Sequence, residues 1–276
     1  MGLRINTNIA ALNAQRTLSN TTNQLNRSLE RLSSGLRINK ARDDAAGLAI
    51  AEGFRSVVRG TAVASRNAQD GIGLVQTAEG GLATMSDIVQ RIRELAVQSA
   101  NGTLSAANRT SLQGEVTQLI AQVDAIASNT EFNGVNVLNL TGAAASISLQ
   151  VGARNGQTIT IDFATLRSRS NEIGINGLDI STQPLAQAAL TTLDTAIGNI
   201  NTRRATLGGI QNRLEFTIQT LDIQRENSAA SESFIRDADI ASETIAFTRN
   251  QILVTAGTSV LAQANVVPQT ALTLLR

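Results

Sequence analysis

Near the amino terminus Leu18, Leu25, Leu29, Leu32 and Leu36 stand seven, four, three and four positions apart. That alternation is the a/d repeat of a helix that buries one stripe against another helix. Gly35 interrupts the stripe, and the stretch Arg37–Ala46, with Lys40, Arg42, Asp43 and Asp44, reads as a connecting segment. No proline occurs from Ala45 to Ser99, and Met85, Ile88, Val89, Ile92, Leu95 and Ala96 recur at helical spacing. At 1.5 Å per residue that segment predicts a helix of up to roughly 80 Å. Gly71, Gly73, Gly80 and Gly81 each weaken it by about 1 kcal/mol relative to alanine, which makes this the place for a break or bend. Asn101-Gly102 marks a turn, after which Leu112, Val116, Leu119, Ile120, Val123, Ile126 and Ala127 share one face of a further helix.

Between Asn129 and Pro184 the pattern changes to short alternating runs rich in Gly, Asn and Thr. Ile147, Leu149 and Val151 alternate before Arg154-Asn155-Gly156, and Ile159, Ile161 and Phe163 alternate after it, as the strands of a β-hairpin do. Bringing both apolar sets to one face demands an odd-length loop, with pairs such as Val151 opposite Ile159. A three-residue turn with Gly156 left-handed meets that demand. Beyond Pro184, Leu193, Ile197, Ile200, Leu207, Ile210, Leu214, Ile218 and Leu221 define another long amphipathic helix. The final segment places Ile240, Phe247, Val254 and Leu261 at seven-residue steps and is expected to end near Pro268.

The fold class that follows is mainly α: an elongated antiparallel helical bundle or coiled coil with a small β-hairpin module near 140–180. The order is three helices, β module, two helices, with apolar seams at both termini that lack a partner. A single amphipathic terminal helix cannot bury its stripe unaided, and pairing the two leaves a slender coil that is marginal in isolation. Such seams find their missing contacts in copies of the same chain; the alternative is a closed antiparallel bundle that does not polymerise.

Composition narrows the chemistry. The formal net charge is +1 and His, Cys, Trp and Tyr are absent. The usual imidazole base, thiolate nucleophile and zinc ligands are therefore missing, and neither nucleic acid nor an anionic membrane is implied. Aromatic residues make up only 2%, so burial rests on Leu, Ile, Val and Ala, which suit thin helix seams. No run suffices for a membrane span, and the first residues lack the apolar core of a cleavable export signal. The carboxylate pairs Asp43-Asp44 and Asp237 with Asp239 read as helix-end charges and ion-pair partners rather than as an acid/base pair or cation site. Gly71-Ile72-Gly73 is only a fragment of a dinucleotide fingerprint. No catalytic residue, cofactor or metal is expected.

Three stretches carry a resemblance: Glu30-Arg31-Leu32-Ser33-Ser34-Gly35-Leu36-Arg37-Ile38-Asn39 with Asp43-Asp44-Ala45-Ala46-Gly47; Gln90 through Gln98; and Ser259 through Asn265 with Pro268-Gln269. With Phe132-Asn133-Gly134 and Gln150-Val151-Gly152-Ala153, they make the sequence closely similar to bacterial flagellins over nearly its whole length. The resemblance implies a secreted, extracellular structural subunit that polymerises into the flagellar filament for swimming motility, in a short form lacking large variable outer domains. It implies an inner terminal-helix domain from residues 1–43 and 234–276 and an outer wall domain over 44–233. Implied partners are the chain itself, an export chaperone of the flagellar type III route, cap and hook-filament junction proteins, and the vertebrate innate-immune flagellin receptor. Arg91, Leu95 and Glu115 match the family's receptor-recognised residues, with Gly114 a departure beside the last. The polymerisation seams would be Leu18, Leu25, Leu29, Leu32 and Leu36 with Ile240, Phe247, Val254 and Leu261. A hook-filament junction protein is the alternative, and a catalytic insert has no room in the short hairpin module.

Overall fold

The computed structural model describes residues 7–140 and 145–273, with side chains through residue 266 in the last helix. Six helices and two strand pairs follow in the order α1 (Ile9–Ser34), α2 (Ala45–Ser99), α3 (Ala106–Asn129), β1 (Glu131–Phe132), β2 (Val135–Asn136), β3 (Ser146–Gln150), β4 (Thr158–Asp162), α4 (Ser170–Ile173), α5 (Gln183–Arg236) and α6 (Ile240–Thr273). Two compact units arise from them: Met1–Ser56 with Asn227–Arg276, and Val57–Glu226. These divisions fall inside α2 and α5, whereas residue 43 precedes α2 and residue 234 lies in the last turn of α5.

In the first unit α1 starts at Asn8, whose Oδ1 accepts from the Ala11 amide at 3.0 Å, satisfying one of the donors a helix start leaves free. It stops at Gly35, left-handed with φ 70°, whose N–H returns to the Arg31 carbonyl. The extended residues beyond Gly35 lie antiparallel to the α5–α6 junction. Arg37 N donates to Arg236 O at 2.7 Å and Ala238 N to Gly35 O at 2.9 Å. Helix α6 continues past Pro268 to Thr273 rather than ending there. A proline nitrogen carries no hydrogen and so deprives the carbonyl four residues back, that of Ala264, of its helical donor. Asn8 Nδ2 donates to that carbonyl at 2.8 Å, which makes the interruption tolerable.

The second unit holds the continuous core. Leu82, Met85, Val89, Ile92 and Leu95 of α2, Val116 and Val123 of α3, and Leu193, Ile200, Leu207 and Leu214 of α5 are buried together, the seven-residue steps of α5 marking one face. Helix α2 does not break at its glycines. Instead, a side chain at Gly71 would collide with Leu149, and one at Gly81 would meet Leu138 at 2.7 Å and Thr130 at 3.0 Å. Gly71, Gly73 and Gly81 lie where the β modules and their flanking residues approach the helix, so close packing compensates their helix cost, whereas a side chain at Gly80 would meet nothing within 4 Å.

The first β module is a two-residue turn in which Asn133 (φ 51°) and Gly134 (φ 75°) are both left-handed, the geometry an Asn-Gly hairpin prefers. Asn136 fastens it, donating to Ala127 O and Ser128 O and accepting from Leu138 N and Asn139 N. In the second, Leu149 pairs with Ile159 and Ile147 with Ile161. The loop parity and the left-handed Gly156 (φ 82°) agree with the sequence pattern. The partner of Val151, however, is Gln157, bonded through Val151 N to Gln157 O at 2.9 Å, not Ile159. Glutamines explain the wider loop. Gln150 Nε2 donates to Gly152 O and Arg154 O, and Gln157 Oε1 accepts from Arg154 N, so polar side chains satisfy a tip that a tight turn would close through backbone alone.

Candidate assembly surface

Helices α1 and α6 run antiparallel, pinned at three levels: Asn8 to Ala264, Leu18 against Gly257, and Arg31 to Glu243 at 3.5 Å. The seam between them uses heptad positions, but its buried members are small or polar. Thr21, Ser28 and Asn250 are at most 9% exposed, while Leu18, Leu25, Leu32, Phe247, Val254 and Leu261 are half-buried along it. Leu36 is half-buried in the segment that follows α1. Leu29 and Ile240 are exposed, at 55% and 51%. A second set faces outward altogether: Ile9, Leu12, Ile245, Ile252, Leu253 and Val260 are all exposed. Ile245 and Ile252 stand seven residues apart on α6, so they share one face. Among the described residues the helix pair thus leaves several large apolar side chains uncovered.

The charged residues of the connecting segment serve the backbone. Asp43 accepts from Lys40 N at 3.0 Å and Asn39 N at 3.3 Å. The Lys40 amide, aided by the Asn39 amide and the nearby Arg42 and Arg31 guanidiniums, holds its carboxyl below the ordinary value against the opposing effect of desolvation, which is second in size to the Lys40 amide. Asp44 accepts from Gly47 N at the start of α2, Asp239 from Ala241 N at the start of α6, and Asp237 from Ser233 Oγ. Each carboxylate therefore has a turn or helix end to close.

In the second unit Arg91 and Glu115 come together and Leu95 does not join them at the surface. Arg91 Nη2 and Nε lie 3.0 and 3.2 Å from Glu115 Oε1, and Nη1 lies 3.0 Å from Glu94. The Glu115 carboxylate is the chief reason the guanidinium is held above its ordinary value. Leu95 is 1% exposed and belongs to the core. Gly114 leaves α3 unbroken.

One buried cation escapes sequence reading. Arg109, 9% exposed, points back from α3 to the end of α2. Its Nε donates to Ser99 O at 2.8 Å, Nη1 to Leu104 O at 2.7 Å and Nη2 to Asn101 O at 2.6 Å. The guanidinium fork closes the carbonyl end of a long helix, where positive charge is favoured. In the sequence it stands four residues after the helix-capping Ser105, whose Oγ accepts from Asn108 N.

Comparison with known proteins agrees with this arrangement. The bacterial flagellin N-terminal helical region matches residues 5–143 and the C-terminal helical region matches 190–275. The flagellar filament 33 kDa core protein of Treponema phagedenis is 47% identical, covering 99% of both chains. A flagellin of Halalkalibacterium halodurans is 45% identical, also covering 99% of both. Among solved structures, Bacillus cereus flagellin superposes with a TM-score of 0.51 at 34% identity, covering 56% of this chain and 88% of that one. Two long terminal helices with surplus apolar surface, a long-helix core carrying a small hairpin, and relatives matched end to end place this chain in the bacterial flagellin family, in its short form, as a structural subunit of the flagellar filament.

Proposed function

We propose that the outward apolar face of the α1–α6 pair joins subunits, and that residues 1–43 and 234–276 form the inner coiled-coil domain of the filament while 44–233 form its outer wall. The observation that carries this is the surplus itself: Ile245 and Ile252, each 62% exposed, share one face of a helix whose other face already meets α1. Leu29 and Ile240 add to that outward surface, and Leu18, Leu25, Leu32, Leu36, Phe247, Val254 and Leu261 set the spacing of the pair beneath it. An open helical array needs contacts between unlike surfaces that do not close into a ring. The role is mechanical, without catalysis: small repackings of subunits select straight or supercoiled forms.

The export chaperone would take the C-terminal helix before assembly, and the cap and junction proteins would meet the same terminal surfaces at the filament's ends. The innate-immune receptor would read Arg91 and Glu115 on the free subunit, with Leu95 supporting them from the core. Electron microscopy after seeding, comparing the full chain with a version lacking 1–43 and 234–276, tests the assignment. Filaments from the full chain alone support it; filaments from both remove the terminal helices from the mechanism.

A further inference from the structure

The chain contains four Asn-Gly sequences, at 101–102, 133–134, 155–156 and 176–177, and all eight residues are exposed. In such a pair the glycine amide nitrogen can attack the asparagine side-chain carbonyl, because glycine has no Cβ to obstruct the approach. Attack requires the Asn–Gly peptide to rotate under the side chain and its N–H to reach water. Among the described residues none of the four glycine amides is hydrogen-bonded, so the sites differ in how firmly each turn is held.

At Asn101 the rotation is blocked. Its carbonyl accepts from Arg109 Nη2 at 2.6 Å and from Leu104 N, and its Oδ1 accepts from Thr103 N at 3.2 Å. Asn133 is left-handed (φ 51°) in a two-residue turn closed by the ladder pair Phe132–Val135, whereas the turns at 155 and 176 are each spanned by a single backbone bond of 3.3 Å, so its peptide is the more firmly held of the three. Asn155 is held differently. Gln150 Nε2 and Gln157 N bind Arg154 O, and Gln157 Oε1 binds Arg154 N, yet among the described residues neither the Asn155 side chain nor Gly156 N makes a hydrogen bond. Thr158 N also binds Gly156 O at 3.1 Å, so the flanks are held while the carbonyl and N–H of the Asn155–Gly156 peptide itself are unengaged among the described residues. Asn176 resembles it: its own N–H goes to Ser170 O at 3.2 Å and one bond, Leu178 N to Ile175 O at 3.3 Å, spans the turn. Gly177 N is unengaged among the described residues.

We infer that Asn155 and Asn176 are sites of spontaneous deamidation, and that the assembled subunit ages there by acquiring negative charge. In the step, the glycine nitrogen loses its proton to water or hydroxide and forms a bond to Cγ. The Nδ2 group takes up a proton and leaves as ammonia, giving a five-membered succinimide. Water then opens either carbonyl–nitrogen bond, yielding aspartate or isoaspartate, so the net change is one water consumed and one ammonia released with no redox step. Two conversions carry the formal net charge of +1 through zero to negative. Isoaspartate at 155 also lengthens the backbone at a tip whose Ala153 sits directly against Gly60.

The test is to hold assembled full-length filaments in heavy-oxygen water at mildly alkaline pH, then digest them and follow each Asn-Gly peptide by mass spectrometry. Label should enter the 155 and 176 peptides at least about tenfold faster than the 101 and 133 peptides, a ratio equivalent to about 1.4 kcal/mol of barrier. In urea the four rates should converge, and Gly156→Ala should slow only the 155 peptide. Equal rates at all four sites in the filament, faster labelling at 101 or 133, or no labelling at 155 and 176 would overturn the inference. So would a rate order that persists unchanged in urea, since bonding in the fold would then not be its cause.

Discussion

Replacing Arg109 with methionine keeps most of the side chain's volume and removes three charge-assisted hydrogen bonds, to Ser99 O, Leu104 O and Asn101 O. Each such bond contributes about 1.5–3 kcal/mol when its loss leaves a buried partner unpaired. The Ser99 residue is fully buried, whereas Asn101 is exposed and Leu104 half-buried, so water replaces the donors at the latter two. The full effect therefore falls on one carbonyl and a fraction on the others, giving a loss of about 3–4 kcal/mol. For a unit of this size that lowers the midpoint of thermal unfolding by about 6–16 °C. Arg109→Lys should recover only part of the loss, because an ammonium cannot span three carbonyls in a fixed fork. Denaturant unfolding of the purified monomer, with hydrogen exchange at residues 99–109, measures both. A loss below about 1 kcal/mol for the methionine variant, or full rescue by lysine, would show that the fork does not hold the α2–α3 turn together.

Other substitutions probe separate parts of the structure. Gly71→Val should destabilise by about 2 kcal/mol by driving a side chain into Leu149, whereas Gly80→Ala, where an added Cβ meets nothing within 4 Å, should stabilise by about 0.5–1 kcal/mol; paired chemical melts read both signs. Asn8→Asp keeps the helix cap but exchanges the donor facing Ala264 O for a carboxylate oxygen, and should detach the start of α1 from α6, seen as faster amide exchange over residues 9–14. Asp43 has its pKa lowered in the fold, so its stabilisation of the Asn39–Lys40 turn is present above the unfolded carboxyl's range and is lost as pH falls through the folded value. An NMR titration should show the Lys40 amide signal moving with a midpoint below the ordinary 3.8, and Asp43→Asn should abolish that movement.

The long helices were legible because their apolar repeats are sustained: the span of α2 and the buried heptad of α5 follow directly from the spacing of Leu, Ile and Val. What the repeats could not disclose is which polar residues lie inside. Thr21 and Ser28 are more buried than Leu29, since the α1–α6 approach is close enough that small side chains fill it and the leucine turns outward. The glycines of α2 invited a break because helix propensity is a local quantity, while the contacts with Leu149 and Leu138 that justify them come from residues far along the chain. The hairpin's parity followed from alternation, but its pairing was set by Gln150 and Gln157 side chains filling the loop, for which alternation carries no signal. Leu95 was legible from its place in the apolar repeat with Val89 and Ile92, and the core holds it there rather than at the surface beside Arg91.

Under the proposed function, apolar side chains left uncovered on the α1–α6 pair join one subunit to the next. Seeded polymerisation of a variant carrying Ile245→Asp and Ile252→Asp tests it most directly, with the monomer's circular dichroism as the folding control. Both side chains are 62% exposed in the subunit, so helicity should be unchanged. Covering the exposed part of each isoleucine contributes about 1–2 kcal/mol to assembly, so the critical concentration should rise by at least tenfold. Filaments growing at the original concentration with unaltered morphology would contradict the account, because those side chains would then contribute nothing to the contact between subunits.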